Sequence, residues 1–194
     1  MTLPMLTIEN FLSPSLQRLF ISYWEMYTLK QLTNTAGQPD SALLFCRPRE
    51  VVICNQSLRN VLREHLQELA VPEIKKIFNF IPSSYSPALI RSYKISTRYK
   101  TRGLRILVSI GAASNAGSSL RFCETDCTQY IINPGCAVVF SGSYIHECTP
   151  IHSNKNLILS VTIFNNQHIR HNDIIIKCYQ EIGYNIGNLE EYSL

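Results

Sequence analysis

What this chain of 194 residues is short of narrows its class first. Charge is scarce: 16% of residues are Asp, Glu, Lys or Arg against 45% hydrophobic, the balance of a packed domain and not of a disordered one. No apolar run reaches the about eighteen residues of a membrane span, so no membrane association is expected. The opening MTLPMLTIENFL lacks a basic n-region and meets Glu9 early, which argues against a signal peptide. There is no glycine-rich phosphate loop, no nucleophile elbow and no CxxC pair. Seven cysteines, an odd number, speak against a disulfide framework and for reduced thiols in a cytoplasmic setting. Acidic residues are missing altogether from Arg91 to Arg105, where six basic ones stand (Arg91, Lys94, Arg98, Lys100, Arg102 and Arg105). The overall balance, 18 − 14 = +4, is by itself too mild to argue for nucleic acid.

The length suits one domain, 1–194, which divides into a supporting region 1–87, a β-rich core 88–164 and an extension 165–194. Ser13 followed by Pro14 starts a helix, with a capping serine and proline at the first helical position. Leu16, Leu19, Phe20, Tyr23, Trp24 and Tyr27 are its expected buried stripe. The runs SALLFC and EVVIC, split by Arg47-Pro48-Arg49, read as strands or a hairpin. Asn55 or Ser57 caps a helix to about Leu69, and Val71-Pro72-Glu73 starts a shorter one to Phe78. From 88 onward short β-rich runs follow at 88–95, 104–111, 119–123, 128–132, 136–140, 144–149 and 156–164, separated by turn signals such as Asn133-Pro134-Gly135 and Ser141-Gly142-Ser143. Such punctuation predicts a sandwich or barrel. The stretch 172–183 is expected to be helical.

The densest signal is NPGCAVVFSGSYIHECTPIHSNKNLILSVTIF, Asn133 to Phe164, read as two buried strands on either side of a His-Glu-Cys-Thr-Pro turn. Together with IENFLSPSLQRLF, ALIRSY and LRILVSI followed by AGSSLRF, it resembles the prolyl-4-hydroxylase-like branch of the iron- and 2-oxoglutarate-dependent dioxygenases. The resemblance runs over nearly the whole chain. It implies a mainly β fold, a double-stranded β-helix (jelly roll) core flanked by helices, behind an α/β N-terminal part. It further implies a metal site built from a His-x-Asp/Glu pair and a later histidine, with an arginine about ten residues on to hold 2-oxoglutarate.

Against that pattern His146 falls on the later histidine. The segment where the pair should lie, KISTRYKTRG, holds neither histidine nor acid, and the tenth position after His146 is Asn156 with Lys155 beside it. Lys155 is one candidate for holding the 2-oxoglutarate carboxylate, and Tyr93 or Tyr99 matches the strand tyrosine that contacts it in the family. Cys148, two residues from His146 and so on the same strand face, could join Cys123 and Cys127 in a zinc set. Lys94, Arg98, Lys100 and Arg102 share one strand face and suit an anionic partner: phosphate, nucleic acid or an acidic protein. Lining the mouth of the barrel instead, they would repel a divalent metal.

The first expectation is therefore a dioxygenase-fold protein that has lost iron and 2-oxoglutarate binding and acts as a non-catalytic binding or scaffold module. The second is an active oxygenase with a non-standard Fe(II) and 2-oxoglutarate site, hydroxylating a protein or small molecule. The third is a zinc-binding interaction domain.

Overall fold

Two antiparallel sheets form the frame, and the chain crosses back and forth between them. The computed structural model describes residues 5–34, 50–92, 95–97, 102–111, 117–123, 129–150, 157–165, 176–177, 180 and 189–194. The strands are β1 (Met5–Ile8), β2 (Glu50–Val52), β3 (Ser84–Tyr85), β4 (Leu89–Arg91), β5 (Ile95–Thr97), β6 (Leu104–Ile110), β7 (Ser118–Phe122), β8 (Gln129–Ile132), β9 (Ala137–Ser141), β10 (His146–Pro150) and β11 (Leu157–Phe164). The larger sheet has the order β1-β9-β6-β11-β4-β2, with β3 pairing β11, and the smaller has the order β5-β10-β7-β8. Of the strands β4 to β11, four lie in the large sheet and four in the small one, with the chain passing back and forth between them, which is a jelly roll.

Three helices support the large sheet. Helix α1 (Pro14–Asn34) begins where Ser13 Oγ accepts the Leu16 N–H at 3.3 Å. Its stripe is rotated from the one expected. Phe20 and Tyr23 are buried and Leu16, Trp24 and Tyr27 pack against the core, but Leu19 is 50% exposed while Ile21 is buried. At about 100° per residue, Leu19 lies on the trailing side of the arc that these residues define. Helix α2 (Gln56–His65) is capped by Asn55, whose side chain accepts the Leu58 N–H at 3.0 Å. One π turn, Leu66–Ala70, carries it into α3 (Val71–Phe78) without a break, and α3 ends on Asn79 in the left-handed region. The run SALLFC lies outside the described residues; of 172–183, residues 176, 177 and 180 are helical.

Side-chain alternation along β6 explains the two cores. Leu104, Ile106, Val108 and Ile110 face the helices and join Phe11, Phe20, Leu62, Leu66, Ile74, Val139, Leu159 and Val161 in one cluster. Leu107, on the other face, joins Leu120, Phe122, Ile132, Val138, Phe140, Cys148 and Ile158 between the sheets. Two close approaches tie the parts together. The Asn133-Pro134-Gly135 turn tucks under α1: Gly135 (φ 79°) donates its N–H to the Ser109 carbonyl, and its own carbonyl accepts the Leu12 N–H at 2.9 Å. Gln17, 5% exposed, donates to the Leu12 carbonyl and accepts the Gly111 N–H. At the other end, the 3₁₀ turn Leu189–Tyr192 docks on α2, where Arg59 meets the Glu191 carboxylate at 2.7 Å and the Tyr192 hydroxyl at 3.2 Å.

His-Glu-Cys-Thr-Pro is not a turn, and of the two readings the β-rich run at 144–149 is the one the structure follows. The segment is strand β10, paired with β5 on one side and β7 on the other, and the turn before it is Ser141–Ile145. The reason is register: once Phe122 and Thr97 flank His146, the backbone groups of this segment are bonded on both edges.

Candidate functional site

His146 opens β10, opposite Phe122 on β7 and opposite Thr97 on β5. It is 1% exposed, and its ring stands edge-on against Phe140 at 4.8 Å between centroids. Nδ1 lies 3.1 Å from the Tyr144 carbonyl. A carbonyl only accepts, so Nδ1 carries the proton and Nε2 holds a bare lone pair. That Nε2 is buried and has no hydrogen-bond partner among the described residues. Burial pushes the imidazole down to about 4; the Tyr144 bond opposes this, and the charges of Arg105 and Arg91 add to it. At neutral pH His146 is an uncharged acceptor.

The two arginines come from the large sheet. Arg105 on β6 is in register with Phe140 on β9 and with Thr162 on β11, and it shares the inter-sheet face with Leu107. Its Nη1 donates to the Thr162 hydroxyl at 3.1 Å, and the residue is half-buried. Arg91 on β4 is in register with Glu50 on β2 and grips its carboxylate through Nη2 at 2.6 Å and Nε at 2.7 Å. The sequence reading counted both arginines in the basic run but set neither beside His146. The signal was there: with a strand starting at Leu104, Arg105 shares the parity of Leu107 and Ser109, the inner face.

The other expected residues are spread out. Cys148 shares the inner face with His146, as expected, and is fully buried, which pushes its thiol up to about 12. A thiol held protonated is a poor zinc ligand. Cys123 is exposed at the end of β7, where its N–H bonds the Ile145 carbonyl. Among the described residues no three His, Cys, Asp or Glu side chains gather to hold a metal. The nearest acid in sequence, Glu147, alternates to the outer face and pairs with Arg121 at 2.8 Å. Arg102 is exposed. Cys127, Lys155, Tyr93, Tyr99, Lys94, Arg98 and Lys100 lie outside the described residues.

No family model matches the sequence, and no curated protein matches it by sequence. Solved structures match it in shape. The viral collagen prolyl hydroxylase of Paramecium Bursaria Chlorella virus-1, in a truncated form, superposes with a TM-score of 0.56 at 12% identity, over 82% of this chain and 88% of that one. The same enzyme solved as a 2OG complex gives 0.55 at 12% identity, over 82% and 95%. A non-heme monooxygenase solved as a nickel complex gives 0.52 at 9% identity, over 84% and 74%. The fold is therefore the jelly roll of the 2-oxoglutarate and iron oxygenases. Among the described helices none is long and apolar enough to cross a membrane.

That fold implies Fe(II), so the donor set can be tested against it. An iron centre of this kind takes two histidines and a carboxylate and leaves positions open. Here the described inner face offers one imidazole, a protonated thiol, two guanidiniums and the Glu50 carboxylate, which Arg91 already grips through two nitrogens. The segment after β5 cannot add a ligand of the missing kinds, since 93–103 contains no His, Asp or Glu. The described residues do not fit the metal.

Proposed function

We propose that this chain is a non-catalytic binding module built on the oxygenase jelly roll. One observation carries the reading: among the described residues the inner face beside the neutral, buried His146 brings the charges of Arg105 and Arg91, and the Glu50 carboxylate there is held by Arg91 instead of being offered to a cation. A guanidinium close to the ligand histidine opposes a divalent ion by direct repulsion, whereas a single imidazole contributes too little to hold one against water. The jelly roll keeps its stability without the metal because strand pairing and the two apolar cores supply it. The partner is a protein or an anionic molecule.

The runner-up is an active oxygenase with an unconventional site. It draws on the tautomer of His146, whose bare Nε2 is the form that binds a metal. Calorimetry of the anaerobic protein with Fe(II) and 2-oxoglutarate, alongside an assay of 2-oxoglutarate consumption, separates the two. The module reading expects neither saturable Fe(II)-dependent binding nor turnover; stoichiometric iron with 2-oxoglutarate consumption sinks it. Zinc that purifies with the protein one-to-one and is lost in Cys123→Ser and Cys148→Ser would instead establish the third reading.

A further inference from the structure

Independently of the His146 region, we infer that the outer face of α1 is a docking surface for a second copy of this chain, packed antiparallel about a two-fold axis. A helix that buries one face in a core ordinarily turns a charged face to solvent. Helix α1 does not. Its inner side buries Phe20, Ile21 and Tyr23, yet Leu19, Met26 and Leu29 on the outer side are 50%, 45% and 62% exposed. The exposed positions from 15 to 29 follow one another at steps of three and four, which is a single stripe along the helix. Besides the three large apolar residues this stripe holds two serines, Ser15 and Ser22, and two charges, Arg18 and Glu25.

The charges choose the occupant. They are opposite in sign and seven residues, about two turns, apart, and neither side chain pairs with a described residue. Two parallel copies in register would set Arg18 on Arg18 and Glu25 on Glu25. Two antiparallel copies, with the axis between Ile21 and Ser22, bring each Arg18 level with Glu25 of the second copy. Symmetry then closes two ion pairs at once.

The same axis seats the apolar residues. At equal rise per residue, Leu19 stands level with position 24 of the second helix, midway between the exposed Ser22 and Met26. Met26 stands level with position 17, midway between Ser15 and Leu19. Each apolar knob thus enters a gap bounded by a serine, and Ser22 beside the axis is small enough for the backbones to approach. Leu29 comes level with Pro14 and covers the start of the other helix. Charge and shape fit the stripe's own image, which is why the occupant is a second copy. The face is about 21 Å long and one helix wide, less than a standard interface buries, so pairing is expected at roughly tens of micromolar and not in dilute solution.

Sedimentation equilibrium of the full chain, from about one to a few hundred micromolar, tests this. The expected result is a reversible monomer–dimer equilibrium. Arg18→Glu and Glu25→Arg each turn two attractions into two repulsions and should weaken pairing by about tenfold or more. Mixed together, these two variants regain both ion pairs and should form a heterodimer of about wild-type strength, and the chain carrying both reversals should pair with itself again. Leu19→Lys should weaken pairing by about tenfold or more in either charge background. All three positions are exposed, and thermal unfolding of each variant confirms that it is folded. A wild-type chain that stays monomeric throughout overturns the inference, as does a dimer indifferent to Arg18→Glu and Leu19→Lys, or a mixture of the two charge variants that does not pair. A monomer that cosediments with phosphatidylcholine vesicles gives the face to lipid and overturns it as well. None of those outcomes touches the non-catalytic reading, which fails separately on Fe(II)-dependent turnover.

Discussion

The two faces of the large sheet use the same strands and differ in what they tolerate. Toward the helices, β6, β9 and β11 present Leu104, Ile106, Val108, Val139, Leu159 and Val161, all buried and all apolar. Toward the small sheet the same strands present Leu107, Val138, Phe140 and Ile158, but also Arg105, Thr162 and Ser160. One face is uniform. The other changes along its length from hydrocarbon to a polar end that carries Arg105 and the Arg91–Glu50 pair, whose arginines act on the neutral His146 of the small sheet. The helix side specifies the fold, and the inter-sheet side carries whatever chemistry remains.

If that division is right, the largest loss of stability comes from the uniform face. Phe20→Ala removes a fully buried ring from the helix layer and should cost about 3–5 kcal/mol in urea denaturation. The polar end should respond to acid. His146 titrates at about 4 in the fold against about 6.5 unfolded, so at pH above 6.5 it is neutral in both states and has no effect. As pH falls from 6.5 towards 4 only the unfolded chain takes the proton, and stability drops by up to about 3 kcal/mol, levelling off below 4. His146→Phe should remove that part of the slope, seen as the difference between the two proteins' unfolding curves across pH. A retained slope would mean that His146 is not the buried neutral ring described here.

The seam between the regions can be tested at Gly135. A Cβ there would lie 2.6 Å from both the Leu12 carbonyl and Gln17 Nε2, at a φ of 79°. Gly135→Ala should cost about 2 kcal/mol, from left-handed strain together with displacement of Gln17. The smallest effect is expected at Leu19→Ser on the open side of α1, within about 0.5 kcal/mol by the same denaturation assay. A cost near that of Phe20→Ala would return Leu19 to the buried stripe.

Most of the strand plan was legible because its cues are local. LRILVSI, AVVFS and LILSVTIF are short runs bounded by turn residues, and the structure places them at 104–110, 137–141 and 157–164. Ser13 and Asn55 announced their helices through side chains that cap within three residues. The misread parts depend on distant partners. Whether His-Glu-Cys-Thr-Pro is turn or strand is decided by β5 and β7, which lie up to about fifty residues upstream. That the charge of Arg105 is felt at His146 is decided by β9, which stands beside β6 and sets Phe140 opposite Arg105 and against the His146 ring. The lack of His, Asp and Glu in 93–103, by contrast, is legible directly, because the absence of a residue type from a segment needs no fold to detect.

The docking of residues 189–194 has a consequence for biogenesis. Arg59 finds the Tyr192 hydroxyl across 133 positions of chain, Tyr85 finds the Glu191 carbonyl across 106, and Ser193 bridges to Ser84. On the ribosome, α2 and β3 emerge long before this segment exists, so a guanidinium that ends up 8% exposed stays unclasped until residues 191 and 192 have been made. The clasp can close only after residue 192 has cleared the exit tunnel. A nascent chain arrested before that point should be the form that chaperones hold longest.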